Sequence, residues 1–244
     1  MSTIPPAPRK VRLLDSHPET AEARTFRFDR GSPPYEWRAG QNLVMTISGV
    51  EGPKGPTYPF TVSSSPTEPG FLAITTFLRD TPFKRRLAAL KPGETVDLDG
   101  PEGTFVLEPG RPAVMVAGGI GVTPFRSMLR FATDSRLEKP LVLVYSSRTL
   151  ESIVFRAELD ELARRNHAIR VLHTITRPDA SDPRWGGRTG RIDGELLREA
   201  MRGVRHPLVY VAGPPEFVRA GRKLLADEIR IAADDIRTDE FDGY

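Results

Sequence analysis

The chain has 244 residues, enough for one large domain or two modest ones, and its 39% hydrophobic and 27% charged residues are the balance of a soluble globular protein. It holds no cysteine, which excludes disulfides, thiolate nucleophiles and cysteine-held zinc or iron–sulfur clusters, and its four histidines (His17, His167, His173, His206) are scattered without metal-ligand spacing. A net charge of +3 is too small to point to nucleic acid, no apolar run reaches the length of a membrane span, and the opening MSTIPPAPRK lacks a signal-peptide core, so the expected compartment is the cytoplasm.

Up to residue 109 the pattern is one of short strands. Alternating runs fall at Arg24–Phe28, Leu43–Ile47, Phe60–Ser63, Leu72–Phe77 and Thr95–Leu98. Gly- and Pro-rich turns separate them at 31–34, 52–56, 66–70 and 91–93, and one helical piece, Pro82–Leu90, interrupts the series. Many short strands joined by such turns predict an antiparallel barrel or sandwich. From residue 110 the rhythm becomes strand, helix, strand, helix. Strands are expected at Ala113–Ala117, Leu141–Tyr145, Ile169–Thr174 and Leu208–Ala212, and helices at Pro124–Ala132, Leu150–Arg165, Asp193–Met201 and Pro215–Ile229. On the second of these helices Phe155, Leu159 and Leu162 would share a face. That alternation predicts a parallel sheet covered on both sides, so the chain divides into 1–109 and 110–244. Residues 177–188 form the one long irregular segment of the second half.

The stretch AVMVAGGIGVTPFRSML (113–129) runs from a strand through a glycine turn into an amphipathic segment. Gly118, Gly119 and Gly121 would let the backbone turn sharply and let a phosphate approach the amides. Thr123 suits an N-cap and Pro124 the first helical position, leaving the helix N-terminus aimed at the turn. A tight connection that binds nothing has the same local features, and the neighbouring motifs decide between the two.

Those motifs occur in order over nearly the whole chain: RAGQNLVM (38–45), YPFTVSS (58–64), LKPGETVDLDGPEGTF (90–105), GGIGVTPFRSML (118–129), VYVAGPPEF (209–217) and EFDGY (240–244). With them the sequence resembles the ferredoxin–NADP⁺ reductase-like flavoproteins. The resemblance implies an N-terminal antiparallel β-barrel that binds FAD, followed by a Rossmann-like parallel-sheet domain that binds NAD(P)H, with the nicotinamide reaching the flavin at their junction. It places Phe60 against the isoalloxazine ring, the Thr61 hydroxyl near flavin N5, and Pro59, Val62 and Ser63 around them. Thr76, Thr81, Phe83 and Lys84 fall in the segments that line the flavin. Gly213 and Pro214 would pass close to the nicotinamide, beside Ala212 where many relatives have cysteine. At the C-terminus Tyr244 is the candidate for stacking on the flavin, with Phe241 as competitor and Glu240 as a nearby polar group.

Two positions depart from the family or refine it. Its flavin motif opens with an arginine that pairs with the pyrophosphate, whereas this chain has Tyr58, a single hydrogen-bond donor in place of a charged fork. Compensation is expected from RDTPFKRRL (79–87), where Thr81 would cap the short helix and Lys84 or Arg79 would add charge. The second strand of the nucleotide domain ends in Tyr145-Ser146-Ser147-Arg148 with no acidic residue for a ribose diol, and Arg148 with Arg177 would flank a 2′-phosphate, which favours NADP(H) over NAD(H).

The activity implied is flavin-dependent NAD(P)H oxidation, with electrons leaving singly to a separate carrier such as a ferredoxin, a flavodoxin or an oxygenase component, since the chain has no cysteine for a cluster of its own. The Lys84–Arg86 edge is the expected docking surface for an acidic carrier. Direct reduction of a small acceptor (free flavin, a ferric chelate, a quinone) is a second reading. A non-catalytic nucleotide-binding subunit with a decayed flavin site is a third, supported by Tyr58.

Overall fold

The computed structural model describes residues 8–51, 55–178 and 184–241, and its frame is two six-stranded sheets. The first is antiparallel and comprises β1 (Arg9–Pro18), β2 (Ala23–Phe28), β3 (Asn42–Thr46), β4 (Thr57–Thr61), β5 (Leu72–Phe77) and β6 (Thr95–Glu102), in the order β4-β3-β6-β1-β2-β5. Its edges meet because the chain leaving β4 bonds to β5. The Ser63 N–H donates to the Ala73 carbonyl at 2.8 Å, and the Ala73 N–H donates to the Ser64 hydroxyl at 2.8 Å. The sheet is thereby barrel-like. Strand alternation turns Phe26, Phe28, Leu43, Met45, Val96 and Leu98 into one buried interior. Helix α1 (Pro82–Ala88) packs Phe83 and Leu87 into the same core.

The second sheet is wholly parallel, in the order β10-β9-β8-β7-β11-β12, from β7 (Ala113–Gly118), β8 (Leu141–Ser147), β9 (Ile169–Ile175), β10 (Arg188–Thr189), β11 (Leu208–Gly213) and β12 (Ile236–Glu240). Both faces are covered, as near-continuous apolar strands require. Ala113, Met115 and Ala117 face one core, while Val114 and Val116 face another. The helices are α2 (Thr123–Asp134), α3 (Arg156–Arg165), α4 (Gly194–Ala200) and α5 (Pro215–Leu224), the last running on through a π-helical turn at Leu225–Ile229.

The structure differs from the sequence expectations at several elements. Strand β1 is hidden in the pattern because Val11 and Leu13 are its only fully buried apolar side chains, and a register irregularity then leaves Leu14 41% exposed. The edge strands β10 and β12 are short or polar and give equally little signal. The single helix expected over 150–165 is two pieces. Thr149 and Ser152 form a capping box around a 3₁₀ turn, and Phe155 then adopts a left-handed backbone (φ 61°) before α3 begins. Ile153, Val154 and Phe155 are all buried, and three consecutive side chains span more than one helix face. Among the described residues no helix is long and apolar enough to cross a membrane.

Candidate active site

A cleft of about 780 Å³ opens at the carboxyl ends of β7, β8 and β9, where parallel-sheet domains bind ligands. The second sheet contributes Gly118, Gly119, Ser147, Arg148, Thr176, Arg177, Arg191, Pro214 and Phe217; the barrel contributes Thr20, Glu22, Phe77 and Arg79. Backbone bonds from Thr176 N–H to the Ser147 carbonyl (2.9 Å) and from Arg177 N–H to the Arg148 carbonyl (2.7 Å) bring the two predicted arginines together. Arg191 stands on the same wall and was absent from the sequence reading, because it follows a two-residue strand that has no pattern of its own. Among the described residues none of these three arginines is in an ion pair. Ser147 is 5% exposed, and its hydroxyl oxygen is buried with no hydrogen-bond partner.

The glycine turn works differently from the expectation. Between β7 and α2 lies a 3₁₀ turn, Gly119–Val122, so Thr123 is not the N-cap but already within the helix, its hydroxyl donating back to the Ile120 carbonyl at 3.1 Å. Pro124 follows it in the first turn. Only Gly118 and Gly119 border the cleft, and Gly119 has φ +55°, which disfavours a side chain. Gly121 serves packing instead: a Cβ there would lie 2.4 Å from the Ala212 carbonyl oxygen. Gly121, Thr123 and Pro124 do not line the cleft.

The strand expected to carry the flavin lies deeper than its sequence suggests. Phe60 is 7% exposed and sits in an aromatic cluster with Tyr58 (ring centroids 5.3 Å) and Phe83 (5.9 Å). Pro59 points outward and is exposed. The backbone and hydroxyl groups of Val62 and Ser63, expected to contact flavin, are committed within the protein. Val62 N–H donates to the Gln41 carbonyl (3.0 Å), and the Ser63 hydroxyl meets the Thr75 hydroxyl at 2.9 Å. Thr61 is buried at the end of β4. The barrel's aromatic ring at the cleft is Phe77, which the sequence reading passed over because it closes an ordinary alternating strand; the Arg79 guanidinium lies 5.1 Å from its ring centroid.

Thr81 caps α1 as expected, its hydroxyl accepting from Lys84 N–H at 3.2 Å. Lys84 itself is 2% exposed and cannot form part of a docking edge. Its ammonium donates to the Thr76 hydroxyl and lies over the rings of Phe60 (4.4 Å) and Tyr58 (4.7 Å). Arg85 and Arg86 remain near the surface, paired with Asp80 (2.6 Å) and Glu94 (2.7 Å).

A buried ionic junction joins the two sheets. Arg126 on α2 is 12% exposed; its guanidinium binds the carboxylates of Glu68, in the loop after β4, and Glu158 on α3, and donates to the Ser63 carbonyl at 3.2 Å. Burial opposes its charge, but the two carboxylates outweigh that, so its pKa stands above the ordinary arginine value. The neighbouring Ser127 hydroxyl donates to the Ser64 carbonyl at 2.7 Å. Sequence reading missed Arg126 and Glu68 because 58 positions separate them, and only the fold brings them together.

At the C-terminal end Glu240 lies beside Gly213 and is exposed, while Phe241 N–H donates to the Gly213 carbonyl at 3.0 Å and its ring is half-buried. Tyr244 lies outside the described residues. Asp239, next to Ala212 in the sheet, has its carboxyl pushed up to about 6 by burial. Among the described residues no group of three or more His, Asp or Glu side chains is placed to hold a metal.

A closed antiparallel sheet followed by a parallel one, with a cleft between glycine turn and barrel, defines a flavin- and pyridine-nucleotide-dependent reductase frame. Residues 115–223 match the oxidoreductase NAD-binding domain family. The chain is 31% identical over 246 residues to ferredoxin–NADP reductase B of Sorangium cellulosum, covering 96% of this chain and 98% of that one. It is 35% identical over 206 residues to the 2-halobenzoate 1,2-dioxygenase electron transfer component of Burkholderia cepacia, but covers only 57% of that relative's length and 81% of its own. Among solved structures, a cytochrome P450 reductase from Amycolatopsis superposes with a TM-score of 0.81 at 20% identity, covering 96% of this chain and 70% of that one. A ferredoxin NADP⁺ reductase from Neisseria gonorrhoeae with bound FAD and NADP gives 0.74 at 24% identity, covering 95% and 97%. The chain belongs to the ferredoxin–NADP⁺ reductase-like flavoprotein family. It is an FAD-dependent NAD(P)H oxidoreductase.

The residues present fit both groups. Arg148, Arg177 and Arg191 on the cleft wall are a donor set for a phosphorylated nucleotide. In the barrel, a buried ammonium with no carboxylate against it among the described residues suits an anionic cofactor.

Proposed function

We propose that this enzyme oxidises NADPH in preference to NADH and delivers electrons singly to a separate protein carrier, a ferredoxin or the terminal component of an oxygenase. The observation that carries the nucleotide choice is the trio Arg148, Arg177 and Arg191 around Ser147, all free of carboxylate partners among the described residues. A 2′-phosphate would meet charge-assisted donors there. A bound flavin would supply the chemistry of hydride acceptance from a reduced nicotinamide and of one-electron release. The chain's own residues bind and orient: Gly119 leaves the turn open, Phe77 and Pro214 wall the cleft, and the Arg126 junction holds the two halves in register. Gly213, Phe241 and Glu240 are assigned to the nicotinamide end, with Thr61 on the barrel side. In this reading the boundary at residues 109 and 110 separates flavin binding from nucleotide binding, within the connection between Glu102 and Ala113.

A separate carrier is supported by the absence of cysteine and by the names of the relatives, a ferredoxin–NADP reductase and an oxygenase electron transfer component. Anaerobic titration, read by loss of flavin absorbance, tests the assignment. NADPH should bleach the protein at lower concentration than NADH. In R148A/R177A the KM for NADPH should rise about a hundredfold or more while that for NADH stays within about twofold, because each lost charge-assisted contact is worth roughly 1.5–3 kcal/mol. Equal losses for both nucleotides would refute the 2′-phosphate assignment.

A further inference from the structure

We propose that Lys84 is the counter-ion of the flavin diphosphate, standing in from α1 for the arginine that Tyr58 replaces on β4. The inference rests on the flavin-dependent reading of the barrel. Its starting point is an incomplete electrostatic arrangement. The ammonium has three protons to donate, and the Thr76 hydroxyl takes one. The faces of Tyr58 and Phe60 attract a cation but do not neutralise it. A 2% exposed ammonium in such a place calls for an anion.

Among the described residues no carboxylate meets it. The polar groups of those residues that face Lys84 are Tyr58 from β4, the one titratable side chain among them, and the neutral Thr76 from β5. On its own helix Arg85 is directed to Asp80 and Arg86 to Glu94, and beyond β5 Arg79 is directed to Glu22. Burial alone lowers the Lys84 pKa to about 7, with no charged neighbour contributing. Of the parts of FAD, the diphosphate is the one that carries permanent negative charge, and it restores the charged form. Below pH 7 the lysine is already protonated and binding is insensitive to pH. Above pH 7 each binding event draws a proton from solvent, so affinity falls as pH rises.

The test measures flavin dissociation from the purified protein on dilution, by recovered flavin fluorescence, between pH 6 and 9.5, with FAD and with riboflavin, which lacks phosphate. For the wild type, the FAD Kd should be flat below pH 7 and rise by up to about tenfold per unit above pH 8, while riboflavin shows no trend. K84R, charged throughout, should bind FAD with a flat profile, and K84M should weaken FAD about tenfold or more at pH 7 and leave riboflavin unchanged. Calorimetry in two buffers of different ionisation heat should show uptake approaching one proton at pH 8 for the wild type and near zero for K84R. Wild-type FAD binding that ignores pH, with K84M binding as tightly, overturns the counter-ion role and leaves the flavin reading standing. Equal loss of FAD and riboflavin in K84M also overturns it, assigning Lys84 to the ring or to barrel packing. Failure of the wild type to bind either flavin removes the flavin reading and this inference together.

Discussion

Replacing Arg126 by Met is expected to lower the melting temperature by roughly 10 °C and to slow NADPH-driven flavin reduction about tenfold or more. The side chain is 12% exposed and its partner Glu68 only 8%, so the substitution leaves a buried carboxylate with no cation nearer than Arg130 at 3.9 Å. Breaking a buried pair from one side costs about 3–5 kcal/mol, and for a chain of this length each kcal/mol is worth roughly 2–4 °C. The kinetic effect has a geometric origin. Arg126 and Ser127 tie α2 to the carbonyls of Ser63 and Ser64, the segment that closes the barrel, so losing the first of these ties loosens the relation between glycine turn and barrel. Displacement of about 1 Å between reacting groups is enough for a large rate loss. The double variant R126M/E68Q separates the causes: removing the stranded carboxylate should recover part of the melting temperature but not the rate. If single and double variants melt alike, the carboxylate is not what the arginine neutralises.

Gly121→Ala should be the most damaging single methyl addition in the nucleotide domain. The new Cβ would stand 2.4 Å from the Ala212 oxygen and 2.6 Å from the Gly213 nitrogen, both backbone atoms that cannot swing aside. The 3₁₀ turn must move away from β11, at a cost of about 2–3 kcal/mol for overpacking. Gly119 and Pro214, which border the cleft on either side, are then displaced, and the KM for NADPH should rise about tenfold. Gly110→Ala, where a Cβ meets nothing within 4 Å, is the matched control and should change neither melting nor KM measurably. A wild-type melting temperature for G121A would show that the turn tolerates the displacement.

The outline of this molecule was legible in its sequence wherever a local rule operates. Apolar runs such as AVMVA and LVYVA can only be buried on both faces, so β7 and β11 were readable as parallel strands. Thr81 before Pro82 announces a helix start, and β8 ends in Ser147 with Arg148 directly after it, both lining the cleft. Legibility fails where a side chain's role is set by what arrives from elsewhere. Lys84 reads as one of three solvated cations in KRR, yet the strands β4 and β5 put aromatic rings and a hydroxyl around it. Phe60 and Phe77 look interchangeable along the chain, but the first is drawn into a ring cluster and the second faces the cleft.

By itself the sequence determined the class of the protein: two sheets of opposite kind in a set order, a glycine turn after the first parallel strand, and no cysteine to hold a metal cluster. These follow from backbone conformational preference and from the spacing of apolar side chains, which act over a few residues. The tertiary structure alone decided which charges are buried, that Arg126 meets Glu68 across the junction, and that Gly121 answers to β11 rather than to a ligand. Desolvation and close packing depend on the whole arrangement of atoms around a group, and no local stretch of chain contains that arrangement.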